Sequence, residues 1–240
     1  MKQYFEIVDV MARQICCSDG KPGIEVEISL DDDTVGRASV PCSGDVLLQV
    51  ENVNTEIAEN LVGLNALEQE YIDAVLTDLD GTRELTRIGR SAILAASMAC
   101  GRAAAASSGL SLYNYIGGIN ARQLPIPVRE GKIPQAADRF VDAVFMPVGC
   151  GMDEPDAAEI NFCEYGTLSE IMDAAHFACK EGQSIAVVCP ESFTGDSTSA
   201  DISVALNADY IMLNRADISV INRLIRIEEE LSDIAEYAGI

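Results

Sequence analysis

The sequence predicts an α+β domain over residues 1–122, with a three-stranded antiparallel sheet and helices, followed by an α/β domain over residues 123–240 with an open sheet of about five strands. Two patterns support this fold class. The first forty residues alternate apolar and polar positions, which is typical of half-buried antiparallel strands. The second half instead alternates short apolar strands with amphipathic helices, which favours a largely parallel sheet with helical crossovers.

The N-terminal pattern predicts strands at about 3–15, 24–30 and 35–41, with turns around Gly20–Gly23 and Asp31–Asp33. Apolar residues at helical spacing then predict helices over about 46–61 and 67–79. Residues 91–107 are rich in Ala, Gly and Ser. These small side chains predict a helix against which another element packs closely.

The C-terminal half contains five short apolar segments separated by helical patterns. We predict strands at 124–128, 143–148, 160–163, 185–189 and 210–213 and helices at about 167–180, 197–206 and 218–237.

The charge of the chain limits its partners. The formal net charge is −23, with 16 Lys and Arg against 39 Asp and Glu. Neutralising phosphates requires clustered cations, so we expect no nucleic-acid partner and no binding to anionic membranes. No apolar segment is long enough for a membrane helix and no leader precedes the first strand, so we expect a cytoplasmic protein.

The eight cysteines lack the close spacing that places metal ligands on one turn. Most are expected to be reduced and buried as small hydrophobic residues. Cys163 and Cys189 end two neighbouring predicted strands, so a shared thiol site there stays open as an alternative.

The chain contains a series of motifs in a defined order: DVMARQI at 9–15, GRASVP at 36–41, VENVN at 50–54, LDGT at 79–82, PVG at 147–149, YGTLSE at 165–170 and NRLIRIEEEL at 222–231. In the order and content of these motifs the chain resembles the enolase family. The resemblance implies an enolase-like N-terminal domain followed by a truncated, open enolase-type TIM barrel. If the surviving strands keep their places around the barrel, the resemblance implies the sheet order 160–163, 185–189, 210–213, 124–128, 143–148.

The resemblance implies that several catalytic residues and segments of the family have no counterpart in this chain. Its two active-site lysines would fall at Asn161 and Met212, and its phosphate-binding histidine and arginine at Pro190 and Glu191. Its mobile loop is cut to residues 42–45, and residues 150–159 replace the strands that carry the magnesium carboxylates. Only Asp142 stands where the family has a glutamate of similar chemistry.

The resemblance therefore implies a non-catalytic enolase-like protein that serves as a binding, assembly or regulatory subunit, without a cofactor or metal and with no catalytic residues. The alternative is a magnesium-dependent lyase related to phosphopyruvate hydratase, or altered chemistry at the strand ends. Weak ligand-binding candidates are Asp142, Asn161, Glu164, Glu191, Ser192 and Thr194.

Two further expectations concern the open sheet and the loop at 190–198. Unpaired strand edges invite another chain, so we expect a homodimer or a protein partner that covers the sheet, with cover by the N-terminal domain of the same chain as the alternative. The loop leads into a helix, and Asp196 or Ser197 is expected to cap that helix.

Overall fold

The structure is a computed structural model that describes residues 4–129, 157–189, 194–213 and 218–238. The described residues form two compact units. The first comprises 4–112, 163–171 and 194–196, and the second comprises 113–129, 157–162, 172–189, 197–213 and 218–238. The predicted domain boundary between residues 122 and 123 stays a prediction.

The first unit is built on an antiparallel sheet of three strands in the order β1-β2-β3. Their bounds confirm the three strands predicted from alternation. The inward residues of the central strand are completely buried, whereas its outward residues Glu25 and Glu27 form ion pairs with Arg13. The strands are β1 (Ile7–Cys16), β2 (Pro22–Leu30) and β3 (Val35–Pro41).

Helices cover the buried side of this sheet. The first helical stretch begins with Asp45, whose side chain accepts hydrogen bonds from the N–H groups of Leu47 and Leu48, and it contains a π-helical turn over Val53–Ile57. The helices are α1 (Val46–Asn52), α2 (Ala58–Leu61), α3 (Gln69–Asp80) and α4 (Arg90–Ser107).

Helix α4 confirms the close packing that its small residues predicted. A Cβ atom added to Gly36 in β3 would lie 2.2 Å from the carbonyl oxygen of Ala99 and 2.4 Å from the nitrogen of Ala103. The backbones of β3 and α4 are therefore in direct contact, because neither partner has a large side chain between them.

The second unit contains a parallel sheet of four strands in the order β5-β8-β7-β6. This is the order predicted for four of the five strands; the predicted strand at 143–148 lies outside the described residues. The described strands do not close into a barrel. They are β5 (Ile126–Arg129), β6 (Ala157–Asn161), β7 (Ser184–Val188) and β8 (Tyr210–Leu213).

The remaining elements lie between or after these strands. The helices are α5 (Leu112–Gly117), α6 (Leu168–Lys180), α7 (Thr198–Ala205) and α8 (Ile218–Leu231). Short 3-10 turns cover Gly118–Asn120, Phe162–Glu164 and Ser232–Ile234. A two-stranded parallel sheet joins β4 (Gln123–Leu124) to β9 (Glu236–Tyr237). None of the helices in the described ranges is long and apolar enough to span a membrane.

Two predicted elements differ from the structure. The strand predicted at 124–128 is divided at Pro125, which has no N–H to donate to a neighbouring strand, so β4 pairs with β9 and β5 with β8. The last helix, predicted to reach residue 237, ends at Leu231. Ser232 follows it with a left-handed φ of 51°, and the chain then turns into β9.

Candidate functional site

The carboxyl ends of the parallel strands carry a row of residues that are in register with one another. Asn161 of β6 is in register with Val188 of β7, and Val188 is in register with Met212 of β8. Residues in register on parallel strands lie on the same face of the sheet. The structure therefore places Asn161 and Met212, the positions of the two expected lysines, in one row separated by a single strand.

The two faces of this sheet differ in burial. On one face Ile160, Val187 and Ile211 are at most 1% exposed. On the other face Asn161, Val188 and Met212 are each half-buried, and Glu159 is exposed. The row is therefore partly accessible to solvent at the strand ends, where α/β proteins bind ligands.

The chemistry of the row does not suit proton abstraction from carbon. Asn161 is an amide and Met212 a thioether, and neither accepts a proton at neutral pH. Val188 between them is apolar. These three side chains offer hydrogen bonding from one amide and contact with apolar groups.

Magnesium, the metal of the family suggested by the sequence, prefers carboxylate oxygen ligands. The described residues at or just after the ends of β6, β7 and β8 are Asn161, Cys189 and Leu213. They do not provide a carboxylate. Nowhere in the described ranges do three or more His, Cys, Asp or Glu side chains lie together in a way that could hold a metal ion. The described donor set does not fit magnesium.

The six predicted ligand-binding residues fall into four groups. Asn161 lies in the row. Glu164 is exposed at the end of a 3-10 turn, and its carbonyl oxygen accepts a hydrogen bond of 3.0 Å from the Nη1 atom of Arg90. Asp142, Glu191 and Ser192 lie outside the described residues, so the predicted ligand set stays a prediction.

Thr194, the sixth candidate, contacts the edge of the N-terminal sheet. Its hydroxyl donates to the carbonyl oxygen of Ser39 in β3 (3.2 Å), and the Ser39 N–H donates to the Oδ2 atom of Asp196 (2.8 Å). Arg102 also donates to this carboxylate at 3.4 Å. The two side chains thus occupy the hydrogen-bonding groups of an edge strand. Asp196 does not cap α7, contrary to one expectation: Ser197 is the N-cap residue, and its side chain makes no capping hydrogen bond.

The YGTLSE motif has a structural explanation in the first turn of α6. The side chain of Asp73 accepts hydrogen bonds from the N–H (2.9 Å) and hydroxyl (2.7 Å) of Ser169, and the hydroxyl of Ser97 accepts from the N–H of Leu168 (2.9 Å). Glu170 reaches back to accept from the N–H of Gly166 (2.7 Å). These contacts satisfy the free N–H groups at the helix start.

Asp73 was not anticipated from the sequence. It is 3% exposed, and burial raises the pKa of its carboxyl group even though hydrogen bonds from Ser97, Ser169 and Gln69 oppose that shift. Its position on the apolar side of α3 was the only signal, because its partners Ser97 and Ser169 lie far along the chain.

Two thiols were also missed as a pair. Cys42 follows β3 and Cys163 lies in the turn after β6, and both line one cleft. Sequence reasoning paired Cys163 with Cys189 because both end neighbouring strands. Cys42 and Cys163 are separated by 121 positions in the sequence, so no sequence signal indicated that they line the same cleft.

Two comparisons with known protein families bear on this arrangement. The model of the enolase N-terminal domain matches residues 42–116, and the model of the enolase C-terminal TIM barrel domain matches residues 149–240. The first match covers helices α1 to α4, and the second covers three strands of the parallel sheet with their helices. Together the two matches cover more than half of the sequence in the order of the family. The chain belongs to the enolase family.

Proposed function

We propose that this protein is a non-catalytic member of the enolase family that acts in the cytoplasm as a binding, assembly or regulatory subunit. The observation that carries the proposal is the row at the strand ends. The resemblance to the family implies lysines at the positions of Asn161 and Met212. These two residues are in one register row, with Val188 on the strand between them.

The energetic argument concerns the chemistry of proton removal. Abstracting a weakly acidic proton from carbon requires a base of suitable pKa and positive charge near the developing enediolate. The loss of one such group costs several kcal/mol of transition-state stabilisation. An amide and a thioether replace both expected lysines, and the described strand ends bring no carboxylate for magnesium.

The face that carries this row supports a role in binding another protein. Its half-buried side chains lie at one end of a sheet whose opposite face is buried at Ile160, Val187 and Ile211. A second copy of the chain or another protein partner would bury Val188 and Met212 and cover the open sheet. The net charge of −23 opposes the approach of a second copy and favours a partner whose contacting surface carries basic groups.

The first test measures catalysis and ligand binding on the purified chain. Dehydration of phosphoglycerate is assayed with magnesium, and thermal unfolding is measured with magnesium, phosphoglycerate and phosphoenolpyruvate. A ligand present at a hundred times its dissociation constant would stabilise the protein by about 2.7 kcal/mol. We expect no turnover and no shift. A catalytically competent enolase serves as the positive control, and turnover by the pure chain would overturn the proposal.

The second test concerns the partner. The untagged native protein is co-purified from its own cells, and bound proteins are identified by mass. Val188→Asp introduces a charge into the row and is expected to abolish the complex. Val8→Asp, which changes an apolar residue that is 47% exposed on β1, is the matched control and is expected to leave it intact. Equal recovery with both variants would show that this sheet face does not bind the partner.

A further inference from the structure

One short segment of the C-terminal half belongs to the first unit. Residues 163–171 contact helices α3 and α4 there, whereas the described chain on either side of them belongs to the second unit. We call residues 163–171 the docked segment. It contains most of the turn after β6 and the first turn of α6, and the remaining turns of α6 belong to the second unit.

Apolar contacts hold one side of the docked segment. The side chain of Leu168 is 3% exposed, and its Cδ2 atom would lie 3.0 Å from a Cβ atom added to Gly101 in α4. Ile171 is completely buried. These contacts favour docking equally at every pH, because apolar side chains do not titrate.

Polar contacts to one carboxyl group hold the other side. Asp73 in α3 accepts hydrogen bonds from the N–H (2.9 Å) and the hydroxyl (2.7 Å) of Ser169. Gln69, one turn earlier in α3, donates to its Oδ1 atom (2.9 Å), and the hydroxyl of Ser97 in α4 is a further partner. Asp73 is therefore the acceptor that connects the docked segment to both helices.

The carboxyl group of Asp73 lacks a counter-ion. It forms no ion pair with any residue in the described ranges, and its partners Gln69, Ser97 and Ser169 are uncharged. The titratable group that faces it from α4 is the thiol of Cys100, which is completely buried. Burial, and then the charge of Asp73, raise the pKa of this thiol far above neutrality, so Cys100 stays protonated.

The same cluster is short of hydrogen-bond donors. The Oε1 atom of Gln69 is buried and has no hydrogen-bond partner among the described residues. An ionised carboxyl group adds only acceptors to the cluster, whereas a protonated one adds an O–H donor. Burial without a counter-ion and the shortage of donors both disfavour ionisation. In agreement, burial raises the pKa of Asp73 despite the hydrogen bonds that oppose the shift.

We propose that the docked segment is a pH-sensitive element that is released from α3 and α4 as Asp73 loses its proton. Release exposes the carboxyl group to water, where it ionises with its ordinary pKa of about 3.9. The docked state therefore binds the proton more tightly than the released state, and proton binding stabilises docking. Docking is strongest below about pH 4, weakens as the pH rises through the pKa of the docked state, and is constant above it.

The release concerns the chain that leaves the proposed binding row. Cys163, the first residue of the docked segment, lies two positions after Asn161. Release is a local opening that frees this turn and the first turn of α6 while the sheet β1-β2-β3 keeps its pairing. Control of the row by pH rests on the proposed function. The release itself does not, and its tests use the chain without a partner.

Hydrogen exchange of the full chain measures the release directly. Peptides that cover 163–171 are followed by mass spectrometry from about pH 4 to about pH 8, and each rate is corrected for the intrinsic rate at that pH. Asp73→Asn is the reference, because the amide cannot ionise and keeps an oxygen acceptor for Ser169. We expect the protection factor of the wild type to fall relative to the variant by up to about tenfold per pH unit.

Peptides from other parts of the first unit decide whether the effect is local. Those that cover 24–30 in β2 are expected to show the same ratio of wild type to Asp73→Asn at every pH. A constant ratio for the docked segment as well would overturn the proposal. An equal change in all peptides would also overturn it, because Asp73 would then act on global unfolding alone.

A fluorescent reporter gives a second readout. The chain contains no Trp, so Tyr165→Trp places a single indole at a half-buried position of the docked segment. We expect its emission to shift to longer wavelength as the pH rises, and this shift to disappear when Asp73→Asn is added. Glu170→Gln is the matched control, because that carboxylate binds Gly166 within the docked segment, and it should leave the shift in place. An equal shift with and without Asp73→Asn would contradict the assignment.

Discussion

Gly36 shows how a single residue sets the distance between two elements. Any side chain there would meet backbone atoms of α4 at Ala99 and Ala103, which cannot rotate away. We expect Gly36→Ala to destabilise the first unit by about 1–3 kcal/mol, the usual cost of overpacking. Urea unfolding measures the change. Gly23→Ala is the control, because the atom nearest to its added Cβ is the sulfur of Cys17 at 3.0 Å, a side-chain atom that can move. An equal loss of free energy of unfolding in both variants would show that the backbone contact of Gly36 with α4 is not the cause.

The same residue marks the limit of sequence reasoning at this scale. The Ala, Gly and Ser content of residues 91–107 predicted close packing, and α4 confirms it. The partner at Gly36 could not be identified, because composition gives no information on which distant strand meets the helix. Asn161 and Met212 were predicted as substituted positions because the order of the family motifs assigns them. Cys42 and Cys163 come from distant segments, so the sequence did not show that they line one cleft.

Asp73 makes stability depend on pH in a defined direction. Burial raises the pKa of this carboxyl group above its unfolded value of about 3.9, so the folded state holds the proton more tightly. The contribution of Asp73 is therefore most favourable below about pH 4 and falls as the pH rises through the folded pKa. Asn has no charge to desolvate and keeps an oxygen acceptor for Ser169.

Comparison with Asp73→Asn isolates this effect from the other acids of the chain. Free energies of unfolding are measured for both proteins in urea between pH 4 and pH 8. We expect the free energy of unfolding of the variant to rise relative to that of the wild type as the pH increases from about 4 through the folded pKa of Asp73, and the difference to be constant above that pKa. Asp73→Ala removes the acceptor as well and should be less stable than Asp73→Asn throughout. If the difference in free energy of unfolding between the wild type and Asp73→Asn does not change with pH, the pKa of Asp73 is not raised in the folded state.

At the scale of elements, one ion pair joins helices α7 and α8. Arg223 donates to Asp201 through Nη2 (2.6 Å) and Nε (2.9 Å), and Asp201 is only 3% exposed. Arg223 also binds Glu230 at 2.8 Å and lies 6.0 Å from the ring of Tyr113. Removing one member of a buried pair leaves an uncompensated charge, which typically costs about 3–5 kcal/mol.

A double-mutant cycle tests this pair. We expect Arg223→Leu and Asp201→Leu each to destabilise the protein strongly, and the double variant to be more stable than at least one single variant. The exposed pair between Arg87 and Glu56 is the control, because exposed pairs contribute about 0–1 kcal/mol. Similar coupling free energies for the two pairs would show that burial adds nothing at Arg223.

The edges of the N-terminal sheet are protected by side chains rather than by further strands. The side chain of Asn54 accepts a hydrogen bond from the N–H of Ala12 (2.6 Å) and donates one to its carbonyl oxygen (3.2 Å). Thr194 and Asp196 do the same for Ser39 on the opposite edge. Asn54 lies in the π-helical turn of Val53–Ile57, which alternation and helical periodicity could not predict.

The loss of this protection has a measurable consequence. Asn54→Ala leaves the backbone of Ala12 unpaired at an edge strand, so we expect a loss of about 1–3 kcal/mol and faster aggregation on heating. Light scattering and urea unfolding measure the two effects. Asn60→Ala, which removes an amide bonded within its own helix, is the control and should aggregate as the wild type does. Equal aggregation of both variants would show that the edge contact has no protective role.

At the scale of the whole molecule, the sequence predicted the architecture better than the chemistry. The order of the four described parallel strands follows from the short apolar segments and the family order, since crossover connections allow few arrangements. The break at Pro125 and the end of α8 at Leu231 depend on single residues whose local conformation overrides periodicity. The ligand of the strand ends does not follow from the fold, because related scaffolds carry different functions.

The net charge of −23 gives a final prediction for the whole molecule. Self-repulsion among acidic groups destabilises compact states, and salt screens it within a Debye length of about 10 Å at 0.1 M. We expect the free energy of unfolding in urea to rise between 0.02 and about 0.5 M potassium chloride, because this screening strengthens over that range. Sucrose at matched osmolality controls for general solute effects and should give a smaller increase. A free energy that stays constant or falls with salt would show that ion pairs such as those of Arg13 with Glu25 and Glu27 outweigh the net repulsion.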